Sequence, residues 1–91
     1  MLEKNIERHL VEEVKKIKGR CIKMNSQSSN GLPDRLVLLP GGRIYFLECK
    51  RPGEKLRPLQ QYWKKILENL GFKYYKINSL EDVDRFTQEV R

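Results

Sequence analysis

The stretch NGLPDRLVLLPGGRIYFLECKRPG, residues 30–53, decides the fold of this chain. Residues 34–39 and 43–50 within it are two short runs rich in branched aliphatic and aromatic side chains, which favour β-strands. The Pro-Gly-Gly sequence of residues 40–42 between them is typical of a tight turn. We therefore predict a β-hairpin here and interpret the rest of the chain around it.

The end of this hairpin carries charges at positions where a strand that faces a protein core would be apolar. Side chains alternate along a strand, so Glu48 and Lys50 lie on one face of the second strand. If residues 40–42 form the whole loop, counting outward from it places Asp34 directly opposite Glu48. A two-residue loop would shift the register by one and put the two carboxylates on opposite faces, so the expectation depends on the turn.

Asp34, Glu48 and Lys50 form a candidate site because two adjacent carboxylates repel each other unless a proton or a cation lies between them. Oxygen ligands of this kind suit Mg²⁺, and the backbone carbonyl of Cys49 offers one more. The amine of Lys50 is able to orient or deprotonate an attacking water, or to stabilise charge on a phosphate. The alternative is coincidence, since an Asp followed by Glu-x-Lys also occurs often by chance.

Residues 3–18 predict an amphipathic helix that ends at Gly19. Apolar side chains recur along it at helical spacing, at Ile6, Leu10, Val14 and Ile17. Glu7 lies at the edge of this apolar stripe and Glu3 lies one turn earlier, so either is able to bring a third acid to the site. The alternative for each of them is a place on the solvated rim of the helix.

One more strand is predicted before the hairpin and a second long helix after it. The strand covers residues 20–25 and is followed by the polar loop SQSSNG, residues 26–31. Pro58 is well suited to the first turn of the second helix, and Gly71 is suited to its end. The inner face of that helix is predicted to consist of Leu59, Trp63, Ile66 and Leu70.

The chain is predicted to end with a strand and a helix. Residues 72–77 form the strand, and Ser79 followed by Asp82 resembles a capping box for a last helix that ends near Val90. The complete order is αβββαβ with a further C-terminal helix. This order predicts an α/β fold, a small mixed sheet flanked by helices.

Length and composition indicate one domain over residues 1–91, with 38% hydrophobic and 34% charged residues. Cys21 and Cys49 are too few for a disulfide framework, so we expect both to be reduced and buried as small apolar side chains. No apolar run approaches the roughly 20 residues that span a bilayer, and the N-terminus lacks a signal-peptide core. We therefore expect a cytoplasmic protein, of a bacterial or phage-infected cell, with no membrane partner.

A formal net charge of +7 favours an acidic partner, with nucleic acid first and an anionic membrane surface second. A basic strip beside the candidate site is either a phosphate track or an ordinary solvated surface, and its members are Arg51, Lys55, Arg57 and Lys64, with Lys65 beyond. Four aromatic side chains are able to stack on bases, although positions in the core and sheet are the alternative: Tyr62, Trp63, Tyr74 and Tyr75. The polar start of the second helix, Gln60 and Gln61, is able to meet an anion.

Three motifs in a fixed order resemble the virus-type replication-repair nuclease (VRR-NUC) domain of the PD-(D/E)XK superfamily of restriction-endonuclease-like nucleases. They are GLPDR at residues 31–35, YFLECK at 45–50 and LRPLQQ at 56–61. The match runs over nearly the whole chain and keeps the αβββαβ core of that family. The combination of G-x-P-D, E-x-K and a downstream L-x-x-L-Q is more specific than E-x-K alone.

The resemblance implies a catalytic set and a metal set. The catalytic set consists of a helix-borne acid, two further acids, a lysine and a glutamine: Glu7, Asp34, Glu48, Lys50 and Gln60. Glu3 is the less favoured choice for the helix-borne acid. The ligands implied for Mg²⁺ or Mn²⁺ are Asp34, Glu48, Glu7 and the backbone carbonyl of Cys49.

The function that the resemblance implies is a metal-dependent DNA endonuclease that hydrolyses phosphodiester bonds in replication, recombination or repair. Small stand-alone members of the family, often from phages, resemble homodimers that act on branched DNA such as Holliday junctions. We expect a homodimer here, with Tyr62 and Trp63 as candidate interface residues. The alternatives are a non-catalytic nucleic-acid-binding module and a nuclease that acts on RNA.

Overall fold

The computed structural model describes residues 1–24 and 31–91, and within these ranges it contains three helices and four strands in the predicted order. Most of the predicted loop at residues 26–31 and the end of the first predicted strand, Asn25, lie outside the described residues. The elements are α1 (Glu3–Lys16), β1 (Arg20–Lys23), β2 (Arg35–Leu39), β3 (Arg43–Cys49), α2 (Pro58–Asn69), β4 (Lys73–Ile77) and α3 (Leu80–Val90).

The four strands form one mixed sheet in the order β1-β2-β3-β4. The pairs β1–β2 and β2–β3 are antiparallel, whereas β4 runs parallel to β3 after the α2 crossover. Leu39 pairs with Arg43, which confirms the three-residue hairpin loop. Gly41 and Gly42 have φ values of 87° and 73°, a left-handed conformation that glycine adopts without the usual steric cost.

One face of the sheet packs against α1 and α3, and this layer holds the hydrophobic core. The predicted apolar stripe of α1 is confirmed, because Ile6, Leu10 and Val14 are buried and Ile17 is partly buried against them. The other buried members of the core are Val37, Leu39, Leu47, Cys49, Ile77, Val83, Phe86 and Val90. The site described below therefore has a rigid support, since β2 and β3 are fixed by this core from one side.

The other face of the sheet packs against α2, which lies along β4. The prediction that Leu59 and Leu70 belong to the inner face of α2 is wrong, since they are 46% and 69% exposed. The buried residues of this helix are Gln60 and Leu67. The apolar side chains of α2 lie on one side of the helix, but the buried side is rotated from Leu59 and Leu70 toward Gln60 and Leu67, and contacts with the sheet decide this orientation.

Helix α1 ends at Lys16, two residues before the predicted end. Lys18 has a φ of 70° and so adopts the left-handed conformation that a helix terminus often requires. Gly19 was predicted to end the helix, but the structure requires glycine there because the chain approaches β2 closely. A Cβ atom at this position would lie 2.4 Å from Cδ2 of Leu39 and 2.7 Å from the backbone oxygen of Leu38, so glycine permits the close approach of the chain to β2.

Helix α3 begins at the predicted position, because the Ser79 hydroxyl accepts a hydrogen bond of 3.0 Å from the backbone N–H of Asp82. In a capping box the Asp82 side chain would accept in return from the backbone N–H of Ser79. Here a carboxylate oxygen of Asp82 accepts instead from the backbone N–H of Asn78, one residue earlier, at 2.9 Å. Among the helices of the described residues, none combines the length and apolar character that crossing a bilayer requires.

Candidate active site

Asp34 and Glu48 meet at one end of the sheet, as the hairpin register predicts. Arg35 pairs with Leu47, so the next residue outward on β2 lies beside Glu48 at the end of β3. A carboxylate oxygen of Asp34 accepts a hydrogen bond of 3.2 Å from the backbone N–H of Cys49. This bond ties Asp34 to the segment that carries Glu48, Cys49 and Lys50.

Both carboxyl groups have a raised pKa. Burial raises the pKa of Asp34 to about 6, with a further contribution from the charges of Glu7 and Glu3. Burial also raises the pKa of Glu48 to about 7, and the neighbouring charge of Asp34 adds to it. A pair of acids that resists ionisation in this way is well suited to bind a cation, because the cation removes both the burial cost and the repulsion.

Helix α1 brings two more acids to this place. One carboxylate oxygen from each of Glu3, Glu7 and Asp34 lies within 4.8 Å of the others. Arg35 holds Glu7 in position, since its Nε and one terminal nitrogen donate to the same Glu7 oxygen at 3.1 and 2.8 Å. Both residues considered for the helix-borne acid are therefore at the site, and they differ in that Glu7 is fixed by an arginine.

Gln60 connects helix α2 to Glu48. The Gln60 side chain is buried, and its Nε2 donates a hydrogen bond of 3.0 Å to Oε2 of Glu48. Its Oε1 accepts a bond of 2.8 Å from the backbone N–H of Arg57, which fixes the amide orientation. The other carboxylate oxygen of Glu48 is buried and makes no hydrogen bond with any described residue. Such an oxygen is a free ligand position, so the residues present fit a divalent cation.

Lys50 follows β3 directly and lies among these acids. Its side chain is only 7% exposed, and its backbone N–H donates to the Ile77 oxygen at 2.9 Å. The positive charge of Lys50 partly offsets the raised pKa of both Glu48 and Glu3, so the lysine acts on carboxyl groups of β3 and of α1. The structure thus brings together all the predicted catalytic side chains: Glu7, Asp34, Glu48, Lys50 and Gln60.

Three of the four predicted nucleic-acid contacts are exposed, namely Arg51, Lys55 and Arg57. They lie on the loop between β3 and α2, which Asn78 fixes by donating to the backbone oxygens of Arg51 and Glu54 at 2.9 and 3.2 Å. Lys64 is different, because its ammonium group contacts both oxygens of Glu68 at 3.1 Å.

The aromatic side chains and the cysteines divide between surface and interior. Tyr62 is exposed, so a core position for it is wrong, whereas Tyr74 is buried as expected and Trp63 and Tyr75 are half-buried. Both cysteines are free; Cys49 is buried and Cys21 is half-buried. Burial raises the pKa of the Cys21 thiol to about 11, which makes it unreactive.

A second group of possible ligands, His9, Glu13 and Asp84, lies between α1 and α3. Nε2 of His9 lies 2.8 Å from Asp84, and Glu13 lies 2.7 Å from the ammonium group of Lys16. A hydrogen bond between His9 and Asp84 and an ion pair between Glu13 and Lys16 therefore account for this group.

Sequence reasoning missed Arg35 and Asn78. Arg35 could have been noticed because it stands at the start of β2 on the same face as Val37 and Leu39, where a charge needs a partner. Asn78 carries no such signal, since a polar residue after a strand is ordinary. Its role depends on a loop that is more than twenty positions earlier in the chain.

Comparisons with known proteins agree with this geometry. No family model matches the chain. The chain is similar to a protein named "Putative nuclease p44" from Acyrthosiphon pisum secondary endosymbiont phage 1, with 57% identity over 58 residues, 64% of this chain and 62% of that protein's length. It is also similar to a solved structure of a "VRR_NUC domain", with a TM-score of 0.88, 26% identity, and coverage of 98% of this chain and 97% of that one.

The similarity therefore includes the whole arrangement of helices and strands and is accompanied by sequence identity. The mixed sheet, the flanking helices and the acidic end of the hairpin match the features expected from the sequence motifs. The chain therefore has the fold of a VRR-NUC domain and resembles that family in sequence.

Proposed function

We propose that this protein is a divalent-metal-dependent DNA endonuclease that hydrolyses phosphodiester bonds. The observation that carries the proposal is the convergence of four carboxylates and one lysine at one end of the sheet, with a buried Glu48 oxygen that no described residue engages. A binding module has no use for such a costly arrangement of acids, particularly in a chain with a net charge of +7. The nuclease name of the phage relative supports the same class of activity.

The residues that would hold Mg²⁺ or Mn²⁺ are Asp34, Glu48, Glu7 and the backbone carbonyl of Cys49. The ion would supply positive charge that stabilises the phosphate and makes a nearby water more acidic. Gln60 would keep Glu48 in its ligating orientation, because it donates to the carboxylate oxygen opposite the free one. Arg35 would do the same for Glu7.

Lys50 would act on the attacking water. Lys50 is buried directly after β3, two residues from Glu48 and at the start of the basic loop, so its amine would be able to orient the water, accept its proton or stabilise the charge that develops on the phosphate. Arg51, Lys55 and Arg57 would bind the phosphate backbone on either side of the cleaved bond.

We further propose that the substrate is branched DNA, such as a Holliday junction, and that the protein acts as a homodimer. One domain of 91 residues covers little DNA, whereas two copies related by a two-fold axis would present two sites to a symmetric junction. The phage origin of the relative supports a setting in replication, recombination or repair in a bacterial or phage-infected cell. RNA is the alternative substrate, since the same site would serve it.

The decisive experiment is to incubate the protein with a four-way junction, a duplex, a single strand and an RNA hairpin, with and without Mn²⁺. We expect cutting of the junction only when metal is present. Asp34→Ala and Glu48→Ala should abolish cutting and retain the folded circular dichroism spectrum. Full activity of Glu48→Ala would overturn the assignment of the site, and tight metal-independent binding without cutting would favour the non-catalytic module.

A further inference from the structure

Tyr74 carries a hydroxyl group that the described residues leave without a partner. Its side chain is 7% exposed, and Oη makes no hydrogen bond with any of them. Burying a hydroxyl without replacing its hydrogen bond to water costs free energy. A phenylalanine of the same shape would avoid that cost, so the hydroxyl needs an explanation that packing does not supply.

The hydroxyl lies on the same face of the sheet as Glu48. In the parallel pairing of β3 and β4, Tyr74 is the partner of Phe46, and Lys76 is the partner of Glu48. The pKa of Tyr74 is raised well above its usual range, first by burial and then by the charges of Glu48 and Asp34. The side chain is thus within the electrostatic reach of the two acids that end the hairpin.

The Tyr74 ring lies next to a charged side chain from α2. The ammonium group of Lys64 lies over the Tyr74 ring, 5.9 Å from its centre, and Glu68 holds that ammonium group at 3.1 Å. The ring has strand β4 beneath it and α2 above it. The buried hydroxyl therefore belongs to a ring that lies between β4 and α2, the helix that also carries Gln60.

Two buried polar atoms on this face, the Tyr74 hydroxyl and Oε1 of Glu48, thus lack a hydrogen bond to any described residue. One is a donor, the other is an acceptor, and the second Glu48 oxygen is already bound by Gln60. Carboxylates that bind a metal usually accept a hydrogen bond from a residue behind them, which sets their orientation.

We propose that Tyr74 is a positioning residue of this site, whose hydroxyl donates to the Glu48 carboxylate once a divalent cation has drawn that carboxylate into its ligating position. The inference rests on the proposed metal-dependent function. Tyr74 and Gln60 then act as a pair, one from β4 and one from α2, and both hold the same carboxylate. The free energy lost by the unpaired hydroxyl in the metal-free protein is recovered when metal binds.

The test compares Tyr74→Phe with Tyr75→Phe. Tyr75 is the next residue on β4, faces the opposite side of the sheet and has its pKa raised by burial and by nearby Glu89, so its variant removes a hydroxyl without touching the site. We measure the melting temperature in a chelator and the affinity for Mn²⁺ by calorimetry, without nucleic acid. Tyr74→Phe should melt at the same or a higher temperature without metal and bind Mn²⁺ about tenfold more weakly. Tyr75→Phe should keep the wild-type Mn²⁺ affinity.

Equal Mn²⁺ affinity of Tyr74→Phe and the wild type would overturn the role of Tyr74 and leave the proposed function intact. A clear loss of metal-free stability in Tyr74→Phe would also overturn it, because the hydroxyl would then have a structural partner. Failure of the wild type itself to bind Mn²⁺ would overturn the proposed function together with this inference.

Discussion

Glu48 is a buried carboxyl group with one oxygen that has no donor among the described residues, and this makes the stability of the metal-free protein depend on pH. The pKa values of Asp34 and Glu48 are raised to about 6 and about 7 in the folded protein. The folded state therefore binds protons more tightly than the unfolded state. Stability should be highest at low pH within this range and should fall as the pH rises through these values.

We predict that the melting temperature in a chelator falls between pH 5 and pH 8, and that Glu48→Gln reduces this fall. Each unit of raised pKa corresponds to about 1.4 kcal/mol, so the effect should reach a few kcal/mol at most. The difference between the two proteins isolates Glu48, because the His9–Asp84 pair is present in both. Identical pH profiles of the wild type and Glu48→Gln would contradict the raised pKa. Mn²⁺ should restore most of the wild-type stability at pH 8.

Lys50 is predicted to serve chemistry more than binding. Lys50→Ala should slow single-turnover cutting by roughly 10²-fold or more, the range for a lost acid–base or charge-stabilising group. Its affinity for uncut junction DNA should change little, since affinity is spread over many basic contacts. Arg51→Ala is the matched control, because Arg51 is adjacent and exposed, and it should weaken binding with little effect on the bound rate. If Lys50→Ala loses affinity and keeps its rate, Lys50 is a phosphate anchor.

Glu7 and Glu3 should contribute differently to the stability of the folded protein. The Glu7–Arg35 pair is largely buried, with 17% and 13% of the side chains exposed, so Glu7→Gln leaves a buried arginine without its charged partner. We predict that Glu7→Gln lowers the free energy of unfolding in a chelator by roughly 1–3 kcal/mol. Glu3→Gln should leave it unchanged or slightly raised, because burial first, and then the like charge of Glu7, raise the pKa of Glu3. Urea unfolding measures both, and equal losses would contradict the distinction.

At the scale of elements, the contact between the G-x-P-D segment and the first turn of α2 places Gln60 beside Glu48. Gly31 has a φ of 81°, and a Cβ atom there would lie 2.5 Å from the backbone oxygen of Leu59 and 2.9 Å from the nitrogen of Gln60. Gly41 has a similar φ of 87° but no atom within 4 Å of its Cβ position. The two glycines therefore form a matched pair.

We predict that Gly31→Ala reduces cutting strongly and that Gly41→Ala does not. Both changes cost roughly 1–2 kcal/mol for alanine in the left-handed conformation. Only Gly31→Ala also pushes α2 and its glutamine away from Glu48. The measurements are single-turnover rates under conditions where both variants are folded. A Gly31→Ala protein as active as Gly41→Ala would show that the position of α2 is not critical.

For the whole molecule, the proposed homodimer has a candidate surface on the outer side of α2. Leu59 and Tyr62 are exposed there, so they are available for an interface, whereas Trp63 is half-buried. Light scattering and sedimentation at micromolar concentration should give the dimer mass. Tyr62→Ser should shift the equilibrium toward monomer, and Lys65→Ser, on the same helix, should not. A species of monomer mass that cuts junctions at full rate would contradict the obligate dimer.

The sequence by itself determined the order of elements, the hairpin and the pairing that brings Asp34 to Glu48. These features depend on local rules. Side chains alternate between the two faces of a strand, and the Pro-Gly-Gly turn fixes which residues pair within some fifteen residues. The motifs also singled out Glu7, Lys50 and Gln60 as candidates before any distance was known, because their spacing resembles that of a known family.

Only the tertiary structure decided which side of α2 faces the sheet, that Arg35 bonds to Glu7, that Asn78 bonds to the basic loop, and that the Tyr74 hydroxyl is buried without a partner among the described residues. The apolar pattern of α2 pointed to Leu59 and Leu70, yet the helix buries Gln60, whose amide donates to the buried carboxylate of Glu48, and Leu67. Contacts of this kind join residues from different elements, so the sequence pattern of one element does not predict them. They form only when the sheet, α1 and α2 pack together.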